Sequence, residues 1–168
     1  DRNPLIEFQG VEQVFDPTQI GRNPNFVVVF RARKVDLLGR IAFSVGKGNI
    51  SSGPGEGADL FTGTEISAGG RTVFGLPSRN PQGGPNIVVM LRDLRNQFHM
   101  RESIDVVVTE YGIANLKWRT IRERAQALID IAHPDDREKL VEQAKRKQIL
   151  FSDQIFLSES ARLYPMEI

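Results

Sequence analysis

The apolar positions of this 168-residue chain change period along its length. Phe26 to Phe30 is a continuous apolar, largely β-branched run and reads as a strand buried on both faces. After Arg31 to Val35 the chain meets a turn at Leu38-Gly39, and Ile41 to Val45 reads as the return strand of a hairpin, with Gly39 able to take a positive φ. Before this hairpin, residues 1–24 hold Pro4, Pro17 and Pro24 and only short apolar clusters, so a meandering lead-in with at most an edge strand near Leu5 to Phe8 is expected. After it come a predicted short helix from about Ala58 to Ile66 and a strand from Thr72 to Leu76. Two further apolar runs, Ile87 to Leu91 and Ile104 to Val108, have strand composition and flank the polar stretch Arg92 to Ser103, which makes a sheet of five or six strands.

The last third of the chain is helical in period. Thr120 followed by Glu123 is a capping box, and Ile121, Ala125, Leu128, Ile129 and Ala132 recur on one face, which predicts a helix from about Ile121 to Ala132. Pro134 starts a second helix that His133 is placed to cap. Asp135, Asp136 and Glu138 in its first turn and Lys145, Arg146 and Lys147 in its last suit the helix dipole. Its apolar face (Leu140, Val141, Ala144) is thin, so it is expected at the surface.

Composition narrows the functional classes. The length suits one globular domain, 1–168, with 149–168 as a tail. The opening Asp1-Arg2-Asn3-Pro4 has neither an initiator Met nor a signal pattern and reads as the start of a piece of a longer polypeptide. With no cysteine there is no disulfide framework, thiolate nucleophile or sulfur-rich zinc site, and a reducing cytoplasm is the expected compartment. A net charge of +1 argues against a dedicated nucleic-acid binder, and no apolar run approaches the ~20 residues of a membrane span. Neither nucleic acid nor membrane is therefore an expected partner.

Candidate chemistry concentrates in the glycine-rich centre, where 11 of the 15 glycines fall between Gly46 and Gly84. Ser51-Ser52-Gly53-Pro54-Gly55-Glu56-Gly57 links a strand to the helix that carries Leu60. Glycines at such a junction let backbone N–H groups approach a phosphate or a developing oxyanion; an unliganded tight turn fits the spacing equally well. A second segment, Gly75 to Gly84, follows the carboxyl end of a strand, and there Arg79 is either a phosphate contact or an ordinary surface arginine. His99 and His133 stand too far apart in sequence to suggest a metal cluster or a triad, and no metal is expected. Glu110 is either a base or a carboxylate that satisfies turn amides. Lys117, Arg119, Arg122 and Arg124 read as a solvated face.

Several phrases in fixed order resemble the C-terminal domain of the acetyl-CoA hydrolase/transferase family, a branch of the CoA-transferases. They are Val107-Val108-Thr109-Glu110-Tyr111-Gly112-Ile113-Ala114, Arg122-Glu123-Arg124-Ala125 and Ile131-Ala132-His133-Pro134-Asp135-Asp136-Arg137. Upstream, Val35-Asp36-Leu37-Leu38-Gly39, Ser67-Ala68-Gly69-Gly70 and Leu76-Pro77-Ser78 fit in the same order. Ile149 to Phe156, followed by Arg162-Leu163-Tyr164-Pro165, resembles the subgroup in which this domain precedes a GNAT-type acetyltransferase domain.

The resemblance implies an α/β fold: an open mixed, mainly parallel sheet flanked by helices. It also implies coenzyme A as a substrate, not a permanent cofactor. In the family a glutamate attacks the acyl-CoA thioester, and the glutamyl-CoA thioester that follows is resolved by a carboxylic acid or by water. That glutamate lies upstream of the segment resembling Asn3-Pro4, so no catalytic residue is assigned to this chain and the N-terminal half of the same enzyme is an implied partner; a homo-oligomer is compatible with the resemblance. The family pattern Gly-x-Gly-Gly-x-x-Asp-Phe falls on Gly53 to Leu60, implying CoA or oxyanion contacts at Gly53, Gly55, Glu56, Gly57 and Leu60. The fourth position, a glycine in the family, is Glu56 here, and the family's asparagine near the loop entrance is replaced by Phe15. A basic residue after Leu-Pro-Ser falls near Gln82, with Arg79 as a substitute.

Overall fold

The computed structural model describes residues 3, 5–43, 57–91, 97–98 and 104–154. They belong to two compact units, Asp1–Val28 with Pro54–Arg71 and Val29–Gly53 with Thr72–Ile168.

In the first unit the lead-in forms two short helices, α1 (Val11–Val14) and α2 (Pro17–Gly21), and no strand near Leu5 to Phe8. The proline that marked this segment as irregular is what starts α2. Pro17 occupies the first helical position, where its missing N–H costs nothing, and the Asp16 carboxylate accepts hydrogen bonds from the Thr18 amide at 2.9 Å and from the Thr18 hydroxyl. These Thr18 hydrogen bonds hold the Asp16 carboxyl below its ordinary range. Helix α3 (Gly57–Ile66) packs on α2 through glycine contacts. A Cβ on Gly63 would lie 2.5 Å from Ile20 Cγ2, and one on Gly21 would collide with Ile66. The unit closes where the Ser67 hydroxyl donates to the Asn23 carbonyl at 2.6 Å and accepts from the Phe26 amide at 3.1 Å.

The strands are β1 (Val27–Asp36), β2 (Ile41–Phe43), β3 (Arg71–Gly75), β4 (Ile87–Val88), β5 (Gln97–Phe98), β6 (Val106–Thr109) and β7 (Gly112–Asn115). They form one open mixed sheet in the order β5-β2-β1-β3-β6-β7, with β4 also paired to β1. Pairing is parallel for β1–β4 and β3–β6 and antiparallel for β1–β2, β2–β5 and β6–β7. This is the expected fold class, an open α/β sheet with parallel pairing at its centre and helices on its flanks.

The β1–β2 hairpin has the predicted turn, with Gly39 at φ +82°. Strand β1 is not buried on both faces as its composition suggested. Val28 and Ala32 are buried and Phe30 stacks on Phe74 with ring centroids 5.6 Å apart, whereas Val27 and Val29 are 52% and 68% exposed. A period-2 strand thus lies under an unbroken apolar run, because two of its valines face outward. Asp36 ends the strand with its side chain fully buried. Its Oδ1 accepts from the amides of Leu38 and Arg40, and its Oδ2 from Arg40 Nε and the Leu91 amide, all within 3.1 Å.

Strands β5 and β7 bring the sheet to seven, beyond the five or six expected. Strand β4 is shorter than the Ile87 to Leu91 run. Helices α4 (Ile121–Asp130) and α5 (Pro134–Arg146) start where predicted. The capping box is complete: Thr120 N–H donates to Glu123 Oε2 at 2.8 Å and Glu123 N–H to Thr120 Oγ1 at 3.3 Å. Ala125, Leu128 and Ile129 of α4 are buried, α4 packs on β7 and α5 on α4. Leu140 and Ala144 form the narrow buried stripe of α5.

Candidate functional site

Parallel strands β3 and β6 end side by side, and beyond their carboxyl ends lie the loop 76–86 and the two-residue turn Glu110-Tyr111. Loops at this edge of an open α/β sheet are the usual position for ligand contacts. The loop 76–86 is built around Asn80. Its Oδ1 accepts from the amides of Gln82 (3.0 Å) and Gly84 (2.9 Å), its amide donates to the Gly84 carbonyl, and its carbonyl accepts from the Gly83 amide, both at 2.8 Å. Gly83 takes φ +78°, which a side chain would resist. At the base, Asn86 donates from Nδ2 to the Pro77 carbonyl and from its amide to the Ser78 carbonyl, both at 2.8 Å. The result is a tight loop whose tip, Pro81-Gln82-Gly83, is exposed.

Two neighbouring residues of the loop are gripped from outside it. Ser78, itself buried, donates from its amide to Glu110 Oε2 at 2.9 Å and from its hydroxyl to Glu110 Oε1 at 2.5 Å. Arg79 Nε and Nη2 donate to the two carboxylate oxygens of Asp136 at 2.8 and 2.9 Å, and Nη1 reaches Asp135 at 3.3 Å. The bidentate pair fixes the guanidinium plane, the geometry that makes Arg–carboxylate pairs directional. His133 caps α5 by accepting from the Asp135 amide at 3.3 Å. Its ring meets Tyr111 edge-on at 5.4 Å, and Arg137 lies 5.7 Å from the Tyr111 ring centroid.

The electrostatics follow from these contacts. Arg79 hydrogen bonding holds Asp136 below the ordinary carboxylate range against the opposing effect of burial. For Glu110 burial pushes upward, but the Ser78 hydroxyl and amide, helped by His133, bring the net shift down. Asp136, with a smaller contribution from Asp135, raises the already high pKa of Arg79. Both Glu110 oxygens accept from Ser78, one from its amide and one from its hydroxyl, so the carboxylate serves the neighbouring 76–86 loop and not only amides of its own turn. Arg79 faces two carboxylates, which neutralise its charge.

Of the seven predicted contact residues, Gly53, Gly55 and Glu56 lie outside the described residues, as does His99. Gly57 opens α3 and is buried, with room for a Cβ at ordinary contact from Phe61; Leu60, three residues on, is half-buried. Gln82 sits at the exposed tip of the 76–86 loop, and Arg79 lies in its Asp136 pair. Phe15 is the C-cap of α1, its amide bonded to the Val11 carbonyl at 3.0 Å. Within the basic stretch, Lys117 pairs with buried Asp105 at 2.9 Å and Arg119 with Glu123 at 3.4 Å. Sequence reasoning missed Ser78 and Asp136. Asp136 was accounted for by the dipole of its own helix, and only the fold brings it to Arg79, 57 residues away. Among the described residues no group of His, Cys, Asp or Glu is arranged to hold a metal ion, and no helix is long and apolar enough to cross a membrane.

Residues 1–144 match the acetyl-CoA hydrolase/transferase C-terminal domain. The chain belongs to this family. It is 38% identical over 149 residues to a 4-hydroxybutyrate coenzyme A transferase of Clostridium kluyveri, covering 88% of this chain and 34% of that protein. It is 39% identical over 148 residues to a succinyl-CoA:cyclohexane-1-carboxylate CoA transferase of Geobacter metallireducens, covering 87% and 34%. Among solved structures it resembles a 4-hydroxybutyrate CoA-transferase from Porphyromonas gingivalis, with a TM-score of 0.69, 34% identity and coverage of 88% and 33%. It also resembles RipA from Yersinia pestis, with a TM-score of 0.68, 30% identity and coverage of 82% and 30%. The chain spans about a third of the length of these relatives. In this acetyl-CoA hydrolase/transferase domain, three of the phrases that carried the resemblance converge in space: Pro77-Ser78, Glu110-Tyr111 and His133 to Arg137 make one polar cluster at the strand ends.

Proposed function

We propose that the chain is the C-terminal half of an acyl-CoA hydrolase or CoA-transferase. Its part in the reaction is to bind the CoA thioester and to stabilise the oxyanion formed when a glutamate of the N-terminal half attacks the thioester carbon. In that step the glutamate oxygen bonds to the acyl carbon and the carbon–sulfur bond breaks, releasing CoA thiolate. The CoA thiolate then attacks the glutamyl carbonyl of the resulting anhydride, the bond from that carbon to the bridging oxygen breaks, and the acyl group leaves as its carboxylate. A carboxylic acid or water then attacks the glutamyl-CoA thioester and displaces CoA thiolate. On sequence grounds the contacts from this chain are Gly53, Gly55, Glu56, Gly57 and Leu60, whose amides and helix start suit negative charge. Gln82, at the tip of its own loop, is a further contact.

The observation that carries the reading is the family match over residues 1–144, supported by relatives named as CoA-transferases at 38% and 39% identity. In the full-length protein incubated with acetyl-CoA, peptide mass mapping should find a borohydride-sensitive glutamyl thioester on a residue outside this chain, and the chain alone should not turn over acetyl-CoA. A full-length protein that forms no such thioester, or a chain active by itself, would overturn the reading.

A second reading is favoured by Glu56 and Phe15, which depart from the family pattern. Glu56 adds a negative charge where negative charge would develop, opposing catalysis without abolishing CoA binding. The domain would then be an acyl-CoA-sensing module regulating an attached acetyltransferase domain, as the segment from Ile149 onward resembles. Calorimetry showing CoA binding to the full-length protein without turnover would select it.

A further inference from the structure

The geometry points to Glu110 and Asp136 as positioning residues for the ligand-facing loop 76–86, an inference that rests on the acyl-CoA reading above. Neither carboxylate is placed to touch a ligand through a free oxygen. Glu110 gives both oxygens to Ser78, and Asp136 gives both to Arg79. The two gripped residues are adjacent in the loop, and the two carboxylates come from different elements, the β6–β7 turn and the start of α5. Two such clamps at neighbouring residues fix both the position and the twist of the strand leaving β3, which a single clamp would not. Everything from Ser78 to Asn86 then follows through the Asn80-centred network, ending at a tip whose Gln82 is exposed and whose Gly83 is held at positive φ.

Arg79 therefore acts through the loop. A guanidinium between two carboxylates presents little net positive charge to a phosphate, and its three hydrogen bonds to Asp135 and Asp136 orient it toward α5. This makes the two roles separable by experiment. If Arg79 held a CoA phosphate directly, removing the charge of Asp136 would free the guanidinium and tighten binding. If Arg79 is the loop's half of a clamp, removing either partner loosens the tip and weakens binding to the same extent.

The test uses the full-length protein with acetyl-CoA, with variants Asp136→Asn, Arg79→Gln, Glu110→Gln, the Asp136→Asn/Arg79→Gln double variant and the charge-swapped Arg79→Asp/Asp136→Arg. Each single variant is expected to raise KM for acetyl-CoA by about tenfold with kcat within about twofold, the pattern of an interaction lost equally from ground and transition states. The double variant should be no worse than the more affected single, and the swap should recover part of the loss. Hydrogen exchange should show the amides of Asn80, Gly83 and Gly84 losing protection while those of β6 keep theirs. An Asp136→Asn protein with KM unchanged or lowered beside a raised KM in Arg79→Gln would overturn the inference, as would loop amides that deprotect with no change in KM. A wild-type protein with no affinity for acetyl-CoA would instead remove the acyl-CoA reading itself, and this inference with it.

Discussion

Two strand ends in this domain are organised by carboxylates, and they are organised in opposite ways. At the end of β1, Asp36 lies inside its own turn, fully buried, and collects four donors from residues 38, 40 and 91. At the end of β3, the loop 76–86 contains no acidic residue, and the carboxylates that hold it reach in from the β6–β7 turn and from α5. An internal carboxylate closes a turn on itself and leaves nothing to offer solvent. External carboxylates hold a loop by its base and leave the tip open. The first arrangement suits a part that must not move, the second a part that must present something.

The largest expected effect comes from breaking the buried centre. In Asp36→Asn one amide nitrogen must face a pair of donors whichever way the side chain is turned, since both carboxylate oxygens accept two hydrogen bonds. Urea denaturation should show a loss of about 3 kcal/mol or more, the range for a broken buried ion pair. The chemically identical change at the rim, Asp136→Asn, should cost less, about 1 kcal/mol, because the pair is partly exposed and water can replace part of what it provides. Similar losses from the two variants would erase the distinction between them.

Acid sharpens the comparison. Asp136 and Glu110 have folded pKa values below their unfolded ones, so their stabilisation is complete above the ordinary carboxylate range and is lost as pH falls through the depressed values. The difference in Tm between wild type and Asp136→Asn should be constant above about pH 5 and shrink progressively as pH falls below the ordinary carboxylate value. A difference that grew on acidification would reverse the sign of the argument. The smallest effect on the loop is expected from a control remote from both sites: Thr120→Ala removes one arm of the capping box of α4 and should cost about 1 kcal/mol of stability while leaving the protection of loop 76–86 unchanged.

What could be read in advance was local. The Thr120–Glu123 box, the His133-Pro134 start of α5 and the Gly39 turn each involve residues within four of one another, and the structure has all three. Strand β7 escaped notice because Gly112-Ile113-Ala114-Asn115 holds one β-branched residue among poor strand formers; its pairing with β6 decides its state, not its propensity. Phe26 to Phe30 misled in the other direction, since composition does not say which valines face outward. The Ser78–Glu110 and Arg79–Asp136 contacts span 32 and 57 residues, and no periodicity or cap motif encodes a pairing at that range. The family phrases were visible in sequence; that three of them meet at one corner was not.

The seam between α2 and α3 has a consequence for how this domain can diverge. Gly63 sits under Ile20, and Gly21 under Ile66, so each helix contributes one glycine and one isoleucine to the crossing. A Cβ at 63 would lie 2.6 Å from the Ile20 Cβ and 3.2 Å from the Pro17 carbonyl, and one at 21 would lie 2.7 Å from the Ile66 Cβ, so shortening either isoleucine as far as alanine leaves the collision in place. Neither glycine can therefore be replaced until the two helix backbones move apart, and the spacing of this crossing should be kept wherever both glycines are.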